Sequence, residues 1–464
     1  MPNKPHQTNR SPWLAELHRE RDLLSLQEDT SCDTLIVGGG IAGLMTAYFL
    51  LTQTSQKVSL LEADKVAHGA TGHNAGQMVS GFEKGFKNLV ERFGLTLATR
   101  AQQDVLGAWD LLEEIKEKMY LETQMHIFTG YSGFTKLEDL LEHLENRYWL
   151  KEGALPVESI LIASNFPYLK SIPEKFQNLF AIAPHGRILE LLQTKNEDYM
   201  AVSMSKAGVT NSAKLTEELA TKLLALYPSR FKIFEKSKVD KVSLFKDSAK
   251  IDTSEGYQIQ ANRVVLCTNG FEKLTIENQA GPDRDDSFHT LVKGLVGYML
   301  GFYEPAGKSP MSVNYHGSET STLKTETEIP PYFYLTRRPY AEDKSLLCLG
   351  GPEYLIPDRH HYDRDQHVFP DEAHTAMDSF LKRNYAEAGR SIAYTYFWHG
   401  VMGYTPSGLR CVGPDQLNPV LMYNLGCNGT GILTSIMGAK RIADHINHKK
   451  LEPSVFDPIR SEKE

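Results

Sequence analysis

The alternation of apolar and polar residues divides the chain into segments with the period of strands and segments with the period of helices. Near the N-terminus, residues 33–37 form a short apolar run, residues 41–51 have a helical pattern, and residues 57–62 form a second apolar run that ends in Glu62. Short continuous apolar runs are typical of strands buried on both faces of a parallel sheet. The pattern therefore predicts a strand, a helix and a parallel strand in succession.

Further helices and strands are predicted downstream by the same criteria. Apolar residues three or four positions apart predict helices at about 95–120, 136–150, 212–226, 371–387 and 431–447. Apolar runs and alternating stretches predict strands at about 231–235, 239–245, 249–253, 257–260, 264–267, 291–302, 332–337, 346–350 and 420–425. Strand patterns therefore return repeatedly, far along the chain from the first unit.

This return of strand patterns predicts an α/β protein with a discontinuous, Rossmann-like first domain. We assign that domain to residues 30–86, 205–282 and 400–450, and a second domain, an antiparallel β-sheet with helices (α+β), to residues 87–204 and 283–399. Residues 1–29 are expected to pack on the surface as an extension, and the polar tail 451–464 is expected to be mobile.

Composition narrows the class of protein. The 464 residues are 41% hydrophobic and 23% charged with a net charge of −8, which is average for a soluble protein and disfavours nucleic acid as a partner. No long apolar run occurs, so membrane contact is expected to be peripheral at most. The cysteines are scattered and never spaced C-x-x-C, which disfavours disulfides and structural zinc and favours the cytoplasm: Cys32, Cys267, Cys348, Cys411 and Cys427.

A glycine motif lies between the first predicted strand and helix. Gly38, Gly40 and Gly43 have the spacing G-x-G-x-x-G, which permits a tight turn, close approach of a pyrophosphate and close packing of helix on strand. Phosphates bound there lie at a helix N-terminus, where free N–H groups favour negative charge. Glu62 is placed to accept hydrogen bonds from an adenosine ribose, so the motif predicts a dinucleotide other than NADP.

A second group of small residues directly follows the predicted ribose carboxylate. Glycine and alanine at this position allow the backbone to approach a large, flat ligand, which favours a flavin over a nicotinamide. The residues concerned are Ala63, Gly69, Ala70, Thr71, His73, Asn74, Ala75, Gly76 and Gln77.

Several motifs, taken in order, resemble those of the D-amino acid oxidase and glycine oxidase family of FAD-dependent oxidoreductases. These are GGGIAG, LLEA, GATGHNAGQ, VVLCTNGF, TPSGLRCVG and NLGCNGTGILTSIMGAKRIAD. The pattern is most similar to the gamma-glutamylputrescine oxidase and D-amino acid dehydrogenase types, over about residues 31–450. The resemblance implies FAD as cofactor, and the further contacts that it implies are Ile41, Ala42, Val239, Thr268, Asn269, Gly270, Gly403, Asn428, Gly429, Thr430, Gly431 and Ile432.

The resemblance also implies how FAD is held. In the family the last helix, which begins here at Gly431, points its N-terminus at the pyrimidine edge of the flavin and stabilises negative charge that develops there. His73 resembles the position at which related dehydrogenases attach FAD covalently through histidine, whereas the putrescine-type oxidases have arginine there. Non-covalent binding is favoured, and covalent attachment through His73 is the alternative.

The implied reaction is oxidation of the C–N bond of an amine or amino acid. Hydride transfer to flavin N5 gives an imine that hydrolyses, and oxygen or a quinone accepts the electrons afterwards. Such a reaction depends on positioning the substrate more than on an acid or a base. A dehydrogenase that uses an acceptor other than oxygen, and a flavin-binding partner subunit without turnover, are the alternative functions.

The candidate substrate residues lie between residues 290 and 404. Arg337 or Arg338, on a predicted strand with Tyr332 and Tyr334, can bind a substrate carboxylate in a bidentate manner, or both can be surface cations. Strand alternation places Arg338 with Tyr334 on one face and Arg337 with Phe333 on the other.

Four further residues complete the candidate set, each with a structural alternative. By resemblance, Trp398, His399 and Tyr404 lie above the flavin, although they can equally form core at the domain junction. Lys293 is a candidate for promoting oxygen chemistry or a solvated cation. Asp358, His360, His361 and Asp363 have no further ligands at suitable spacing, so no metal site is predicted.

Overall fold

The computed structural model describes residues 9–270, 272–317, 333–356, 362–385 and 392–458, and statements below concern these residues. They form two large sheets flanked by helices, which confirms the predicted α/β class. The helices are α1 (Pro12–Ala15), α2 (Ile41–Gln53), α3 (Phe86–Phe93), α4 (Leu95–Lys118), α5 (Leu137–Glu152), α6 (His185–Leu192), α7 (Ser212–Leu226), α8 (Asp285–Thr290), α9 (Asp371–Asn384) and α10 (Gly431–Ile446).

The strands are distributed along the whole chain. They are β1 (Thr30–Val37), β2 (Val58–Leu61), β3 (Gln77–Val79), β4 (Met125–Phe134), β5 (Ile160–Ala163), β6 (Phe180–Ala183), β7 (Ala201–Thr210), β8 (Phe231–Phe234), β9 (Val239–Leu244), β10 (Ala249–Thr253), β11 (Gln258–Leu266), β12 (Thr275–Asn278), β13 (Lys293–Pro305), β14 (Met311–His316), β15 (Phe333–Ala341), β16 (Lys344–Leu355), β17 (Tyr394–Tyr404), β18 (Cys411–Pro414) and β19 (Leu421–Leu425).

The first sheet has a parallel centre, in the order β8, β2, β1, β11. On its far side, β11 pairs with antiparallel β10 along its first half and with parallel β19 along its second half. Helix α2, which is buried on every side, packs against α10 on one face of this sheet. The predicted strand, helix and strand therefore form the centre of a parallel sheet, as their continuous apolar runs require.

The second sheet is mostly antiparallel and runs in the order β17, β13, β16, β15, β14, β4, β7, β5, β6, with β3 on β7. Strand β3 begins at Gln77, at the end of the segment of small residues. Residues 69–77 therefore cross from the first sheet to the second. The limits of the two predicted domains stay predictions, since the sheets exchange chain segments at this point.

Strand β7 was not predicted from the sequence. It lies between β4 and β5 in the second sheet, and its buried and exposed positions do not alternate regularly. Small and polar residues such as Ser203, Ser205 and Gly208 give it no clear period of two. Pairing with β4 along its whole length, from Thr210 to Ala201, defines the strand instead.

The N-terminal extension, described from residue 9 onward, does not lie only on the surface, contrary to the prediction. The side chains of Ser11 and Trp13 are fully buried, and Trp13 Nε1 donates to Asn74 O at 2.5 Å. Ser11 Oγ also donates to Gly72 O, and the Arg338 guanidinium lies 5.1 Å from the centre of the Trp13 ring. The prediction was wrong because a short amphipathic piece does not reveal the distant backbone that it contacts.

The C-terminal segment is likewise fixed as far as the structure describes it. Phe456 is 1% exposed, its ring centre lies 6.1 Å from that of Phe82, and its carbonyl accepts from Val412 N–H at 2.8 Å. The expectation of a mobile tail is therefore wrong for these residues, and residues 459–464 lie outside the described part. Along the same described chain, no helix combines the length and the apolarity needed to cross a membrane.

We expect replacement of Trp13 by alanine to lower the free energy of unfolding by about 3–5 kcal/mol, as for other buried aromatic side chains. Urea denaturation measures this change. Leu24, which is 51% exposed, provides the control, since Leu24→Ala removes little buried surface. A Trp13→Ala protein as stable as the Leu24→Ala protein would show that the extension is not part of the core.

Candidate cofactor and active site

A cavity of about 400 Å³ extends from the carboxyl ends of β1 and β2 to the face of the second sheet. This is within the range of small-molecule sites. Most of the predicted cofactor residues line it, namely Gly38, Gly40, Ile41, Ala42, Glu62, Ala63, Gly69, Ala70, Thr71, His73, Asn74, Ala75, Gly76, Gln77, Val239, Thr268, Asn269, Gly429, Gly431 and Ile432. Residues far apart in sequence therefore meet in one continuous space.

The glycine turn has the close contacts that its spacing predicts. Gly38 has a φ of +107°, and a Cβ on it would lie 2.8 Å from the carbonyl oxygen of Cys267. A Cβ on Gly43 would lie 2.0 Å from the carbonyl oxygen of Gly38, so only glycine lets α2 approach β1 this closely. A Cβ on Gly40 would meet Thr71 Oγ1, which accepts from Ile41 N–H at 2.9 Å.

Glu62 lies beside this turn at the end of β2. Its Oε2 accepts from Gly39 N–H at 2.7 Å and its Oε1 from Asp64 N–H at 2.8 Å. Burial raises the pKa of Glu62, while these two backbone hydrogen bonds act in the opposite direction. Each carboxylate oxygen can accept a further hydrogen bond, so Glu62 is able to bind a ribose diol from this position.

The segment of small residues, 69–77, is held rigidly where it passes between the sheets. Asn74 O accepts from the indole N–H groups of both Trp13 and Trp398, at 2.5 and 3.2 Å. Ser212 Oγ donates to Thr71 O at 2.7 Å, which ties the segment to the start of α7. The wall of the cavity is therefore fixed by side chains from three separate elements.

His73 lines the cavity and is held in one orientation. Its Nδ1 lies 2.9 Å from Gly69 O, and because a carbonyl only accepts, the neutral ring carries its proton on Nδ1. Burial lowers the pKa of His73 to about 4, so the ring is neutral at pH 7.

The remaining predicted cofactor residues support the cavity from behind. Gly43, Gly270, Gly403, Asn428 and Thr430 are absent from the lining. A Cβ on Gly403 would lie 2.3 Å from Asn269 O, and Asn428 N–H donates to Gly403 O at 2.9 Å. These contacts shape the turn before α10, whose first residues do line the cavity.

The two candidate arginines are both engaged elsewhere. Arg337 is 1% exposed and its Nη1 lies 3.0 Å from Glu304 Oε1, while its Nη2 donates to Gln193 at 2.6 Å. Arg338 pairs with Glu16 on the opposite face of β15. Neither lines the cavity, whereas Tyr334, on the same face as Arg338, does. The structure therefore does not bring a predicted carboxylate anchor to the site.

The other substrate candidates are spread around the cavity. Trp398 is buried behind the wall, and His399 contacts Tyr362 Oη at 2.9 Å on its far side. Tyr404 donates to Glu353 Oε2 at 3.4 Å, and Lys293 is exposed at the start of β13. None of these four lines the cavity, although Gly400, Val401 and Met402, between them on β17, do.

Sequence reasoning missed several lining residues that have no local motif. They include Gly297, Met299, Glu353, Gly400, Val401, Met402, Arg410 and Cys427. The available signal for Glu353 was its position in LLCLGGPE, where a carboxylate follows an apolar run and two glycines. The signal for Arg410 was that it is the only charged residue in GLRCVG. Both are charged residues within otherwise apolar stretches.

Arg410 tests whether the cavity suits an anionic diphosphate. Its Nε donates to Asn424 Oδ1, and its Nη2 donates to Asn424 O at 2.8 Å. Asn424 Nδ2 in turn lies 3.4 Å from Thr46 Oγ1 in α2 and 3.2 Å from Ser435 O in α10, so Asn424 connects the guanidinium to both helices. Arg410 is 5% exposed, and no carboxylate in the described chain pairs with it.

The surroundings of Arg410 are suited to negative charge. Neither Gly40 nor Thr430 caps the helix that follows it with a side chain. Thr71 Oγ1 binds the N–H of Ile41, so in α2 only the N–H groups after Ile41 are available to a ligand. Burial lowers the pKa of Arg410 to about 10, which leaves it protonated at neutral pH. A buried cation without a carboxylate partner, in the same cavity as the starts of α2 and α10, fits the diphosphate of FAD, the cofactor that the resemblance implies.

No cluster of three or more histidine, cysteine or acidic side chains in the described chain is arranged to hold a metal ion. Of the residues considered for metal, Asp358, His360 and His361 lie outside the described part, as does Tyr332 among the substrate candidates.

We expect Arg410→Gln to raise the dissociation constant for FAD about 10- to 100-fold, since a charged hydrogen bond contributes about 1.5–3 kcal/mol. Titration of apoprotein into FAD, followed by flavin fluorescence, measures this. Arg441→Gln is the control, because Arg441 pairs with Asp457 and does not line the cavity. If both variants fold and bind FAD with equal affinity, Arg410 does not bind the diphosphate.

Comparison with known proteins agrees with this geometry. A family model described as FAD dependent oxidoreductase matches residues 33–445. The putative Rieske 2Fe-2S iron-sulfur protein YhfW of Bacillus subtilis (strain 168) is 32% identical over 139 residues, 26% of this chain and 27% of that protein. Gamma-glutamylputrescine oxidoreductase of Escherichia coli (strain K12) is 34% identical over 104 residues, 22% of this chain and 24% of that protein.

The matches to these curated relatives span about a quarter of their length. In fold, the chain is similar to glycine oxidase from Geobacillus kaustophilus, with a TM-score of 0.68 at 16% identity, over 93% of this chain and 99% of that one. The family model covers most of the chain, including the glycine turn and the start of α10. This chain therefore belongs to the DAO family of FAD-dependent oxidoreductases.

Proposed function

We propose that the protein oxidises the C–N bond of an amine or amino acid and that FAD accepts the electrons. The observation that carries this proposal is the continuous cavity between a dinucleotide-type turn at Gly38 and a part of the second sheet that bears Tyr334, Met299 and Glu353. Family membership supports FAD, and the similarity to gamma-glutamylputrescine oxidoreductase supports an amine as the reduced substrate.

When bound, FAD supplies a two-electron acceptor that takes a hydride from carbon. The chain supplies binding and orientation. Glu62 would accept hydrogen bonds from the ribose, Arg410 and the starts of α2 and α10 would bind the diphosphate, and the N-terminus of α10 would stabilise negative charge nearby. The second sheet covers the site and excludes water, which strengthens these interactions.

We propose non-covalent FAD. His73 Nδ1 is occupied by its hydrogen bond to Gly69 O, and the backbone of His73 lies close to β17, since a Cβ on Gly400 would lie 2.4 Å from His73 O. A neutral ring held this way acts as a wall of the cavity, so covalent attachment is not required to retain the cofactor. The numerous backbone contacts at the glycine turn supply affinity instead.

Acid precipitation tests this arrangement of His73. We expect the yellow colour to remain in the supernatant, and we expect His73→Asn protein to retain most of its FAD, because asparagine can still donate to Gly69 O. The measurement is flavin absorbance in the supernatant and pellet. Colour that stays with the wild-type pellet and is lost from the His73→Asn pellet would establish covalent attachment instead.

The electron acceptor is proposed to be oxygen, with a quinone-type acceptor as the alternative. Lys293 does not line the cavity and lies exposed at the start of β13. It is therefore assigned no role in the oxygen reaction. The distinction between oxidase and dehydrogenase consequently rests on kinetics.

We expect at least one member of a panel of primary amines, secondary amines and amino acids to bleach the flavin when oxygen is excluded. Absorbance of the oxidised flavin measures this reduction, and admission of air then measures reoxidation. Recovery within seconds indicates an oxidase, and recovery over many minutes indicates a dehydrogenase. If every compound leaves the flavin oxidised, the proposal of amine oxidation is wrong and a cofactor-binding subunit is favoured.

A further inference from the structure

Glu353 occupies a specific position on the second sheet. In the strand register, Glu353 of β16 lies opposite Gly297 of β13, and Gly297 lies opposite Gly400 of β17. Residues directly opposite one another on neighbouring antiparallel strands project their side chains from the same face. Glu353 therefore projects from a strip on which the two adjacent positions have no side chain.

This strip faces the cofactor segment. A Cβ on Gly400 would lie 2.4 Å from His73 O, so the common face of the strip is directed towards residues 69–77. Gly297, Glu353 and Gly400 all line the cavity. The two glycines allow close packing, since a Cβ on Gly297 would lie 2.9 Å from the Met402 methyl carbon, and Glu353 is the ionisable carboxylate at the margin of the strip.

The surroundings of Glu353 contain several titratable groups. Tyr404, on β17, donates to its Oε2 at 3.4 Å, and the charge of Glu83, in the loop before α3, acts on it. Tyr334 and His73 line the same part of the cavity, and His73 is neutral at pH 7. In the described chain, no lysine or arginine pairs with Glu353.

Burial, with a smaller contribution from the charge of Glu83, raises the pKa of Glu353 to about 7. A carboxylate in such a place is stabilised by a cation, and FAD supplies none, because its diphosphate is anionic. A cationic ligand that enters the cavity beside the strip would supply the missing charge. The proposed reaction has such a ligand, since amines are protonated at neutral pH.

We propose that Glu353 binds the ammonium group of the substrate and accepts its proton before oxidation, an inference that rests on the proposed function. The geometry points to an amine without an α-carboxylate as the substrate class. Arg337 and Arg338 are paired with Glu304 and Glu16 and do not line the cavity. The described cations that do line it, Lys238, Lys273 and Arg410, precede β9, β12 and β18 of the first sheet and do not belong to the second sheet that bears Glu353.

The proposed steps balance in atoms and charge. The N–H bond of R–CH₂–NH₃⁺ breaks, its proton moves to the carboxylate of Glu353, and the electron pair stays on nitrogen. The Cα–H bond then breaks and its hydride passes to FAD, while the nitrogen lone pair forms the C=N bond of the iminium ion. Water later adds to carbon, releasing an aldehyde and ammonium.

Binding of tert-butylammonium tests the first step without turnover, because this ion has no hydrogen on its α-carbon and cannot be oxidised. We expect it to perturb flavin absorbance in the wild-type holoenzyme, with affinity that weakens below about pH 7 as Glu353 is protonated. Glu353→Gln should bind it about tenfold or more weakly, independently of pH. Neutral tert-butanol should bind both proteins equally.

The rate of anaerobic flavin reduction by the best amine of the panel tests the second step. In Glu353→Gln the amine must be neutral before it binds, so the rate at pH 7 should fall about 1,000-fold and recover as the pH approaches the amine pKa of about 10. Glu353→Asp should retain a large part of the wild-type rate at pH 7. A purely structural role would lower FAD content or stability without recovery at high pH.

Glu83→Gln is the matched control, because Glu83 acts on Glu353 through its charge and does not line the cavity. It should keep tert-butylammonium affinity within about twofold. Unchanged binding and an unchanged pH profile in Glu353→Gln would overturn the proposal, as would equal effects of Glu83→Gln. If no amine reduces the wild-type flavin, the proposed function fails, yet tert-butylammonium binding still decides whether Glu353 is a cation site.

Discussion

The in-register parallel pairing of four strands is the constraint on which the site depends. Val37 of β1 lies opposite Leu61 of β2 and Leu266 of β11, and Leu266 lies opposite Tyr423 of β19. These strands consequently end at one level. The glycine turn, Glu62, Thr268 and the approach to α10 all follow directly, so groups from four distant parts of the sequence meet at the same edge.

The second sheet completes the cavity only because residues 69–77 are held between the sheets. The carbonyl of Asn74 accepts from Trp13 near one end of the chain and from Trp398 near the other. These hydrogen bonds, together with the contact of Gly400 with His73, set the distance between the segment and β17. The shape of the flavin site is thus a consequence of tertiary packing at both ends of the sequence.

Charge is distributed along the cavity in a way that matches the proposed ligands. Glu62 lies at the glycine turn, Arg410 beside Asn424 just before β18, and Glu353 on the second sheet. Each is buried enough that its pKa is shifted by desolvation, and each therefore gains from a ligand group of suitable charge or hydrogen-bonding capacity. A ribose, a diphosphate and an ammonium group satisfy the three in turn.

The sequence by itself determined the central strand–helix–strand unit of the first sheet and the glycine turn, because both depend on residues that are close together in the sequence. Apolar runs define buried strands, and the spacing of Gly38, Gly40 and Gly43 allows contacts within one turn and with one neighbouring strand. Only the tertiary structure decided the burial of Trp13 and the pairing of Arg337 with Glu304. It also decided the positions of Arg410 and Glu353, since the partners of these charges come from remote strands and helices that no local pattern identifies.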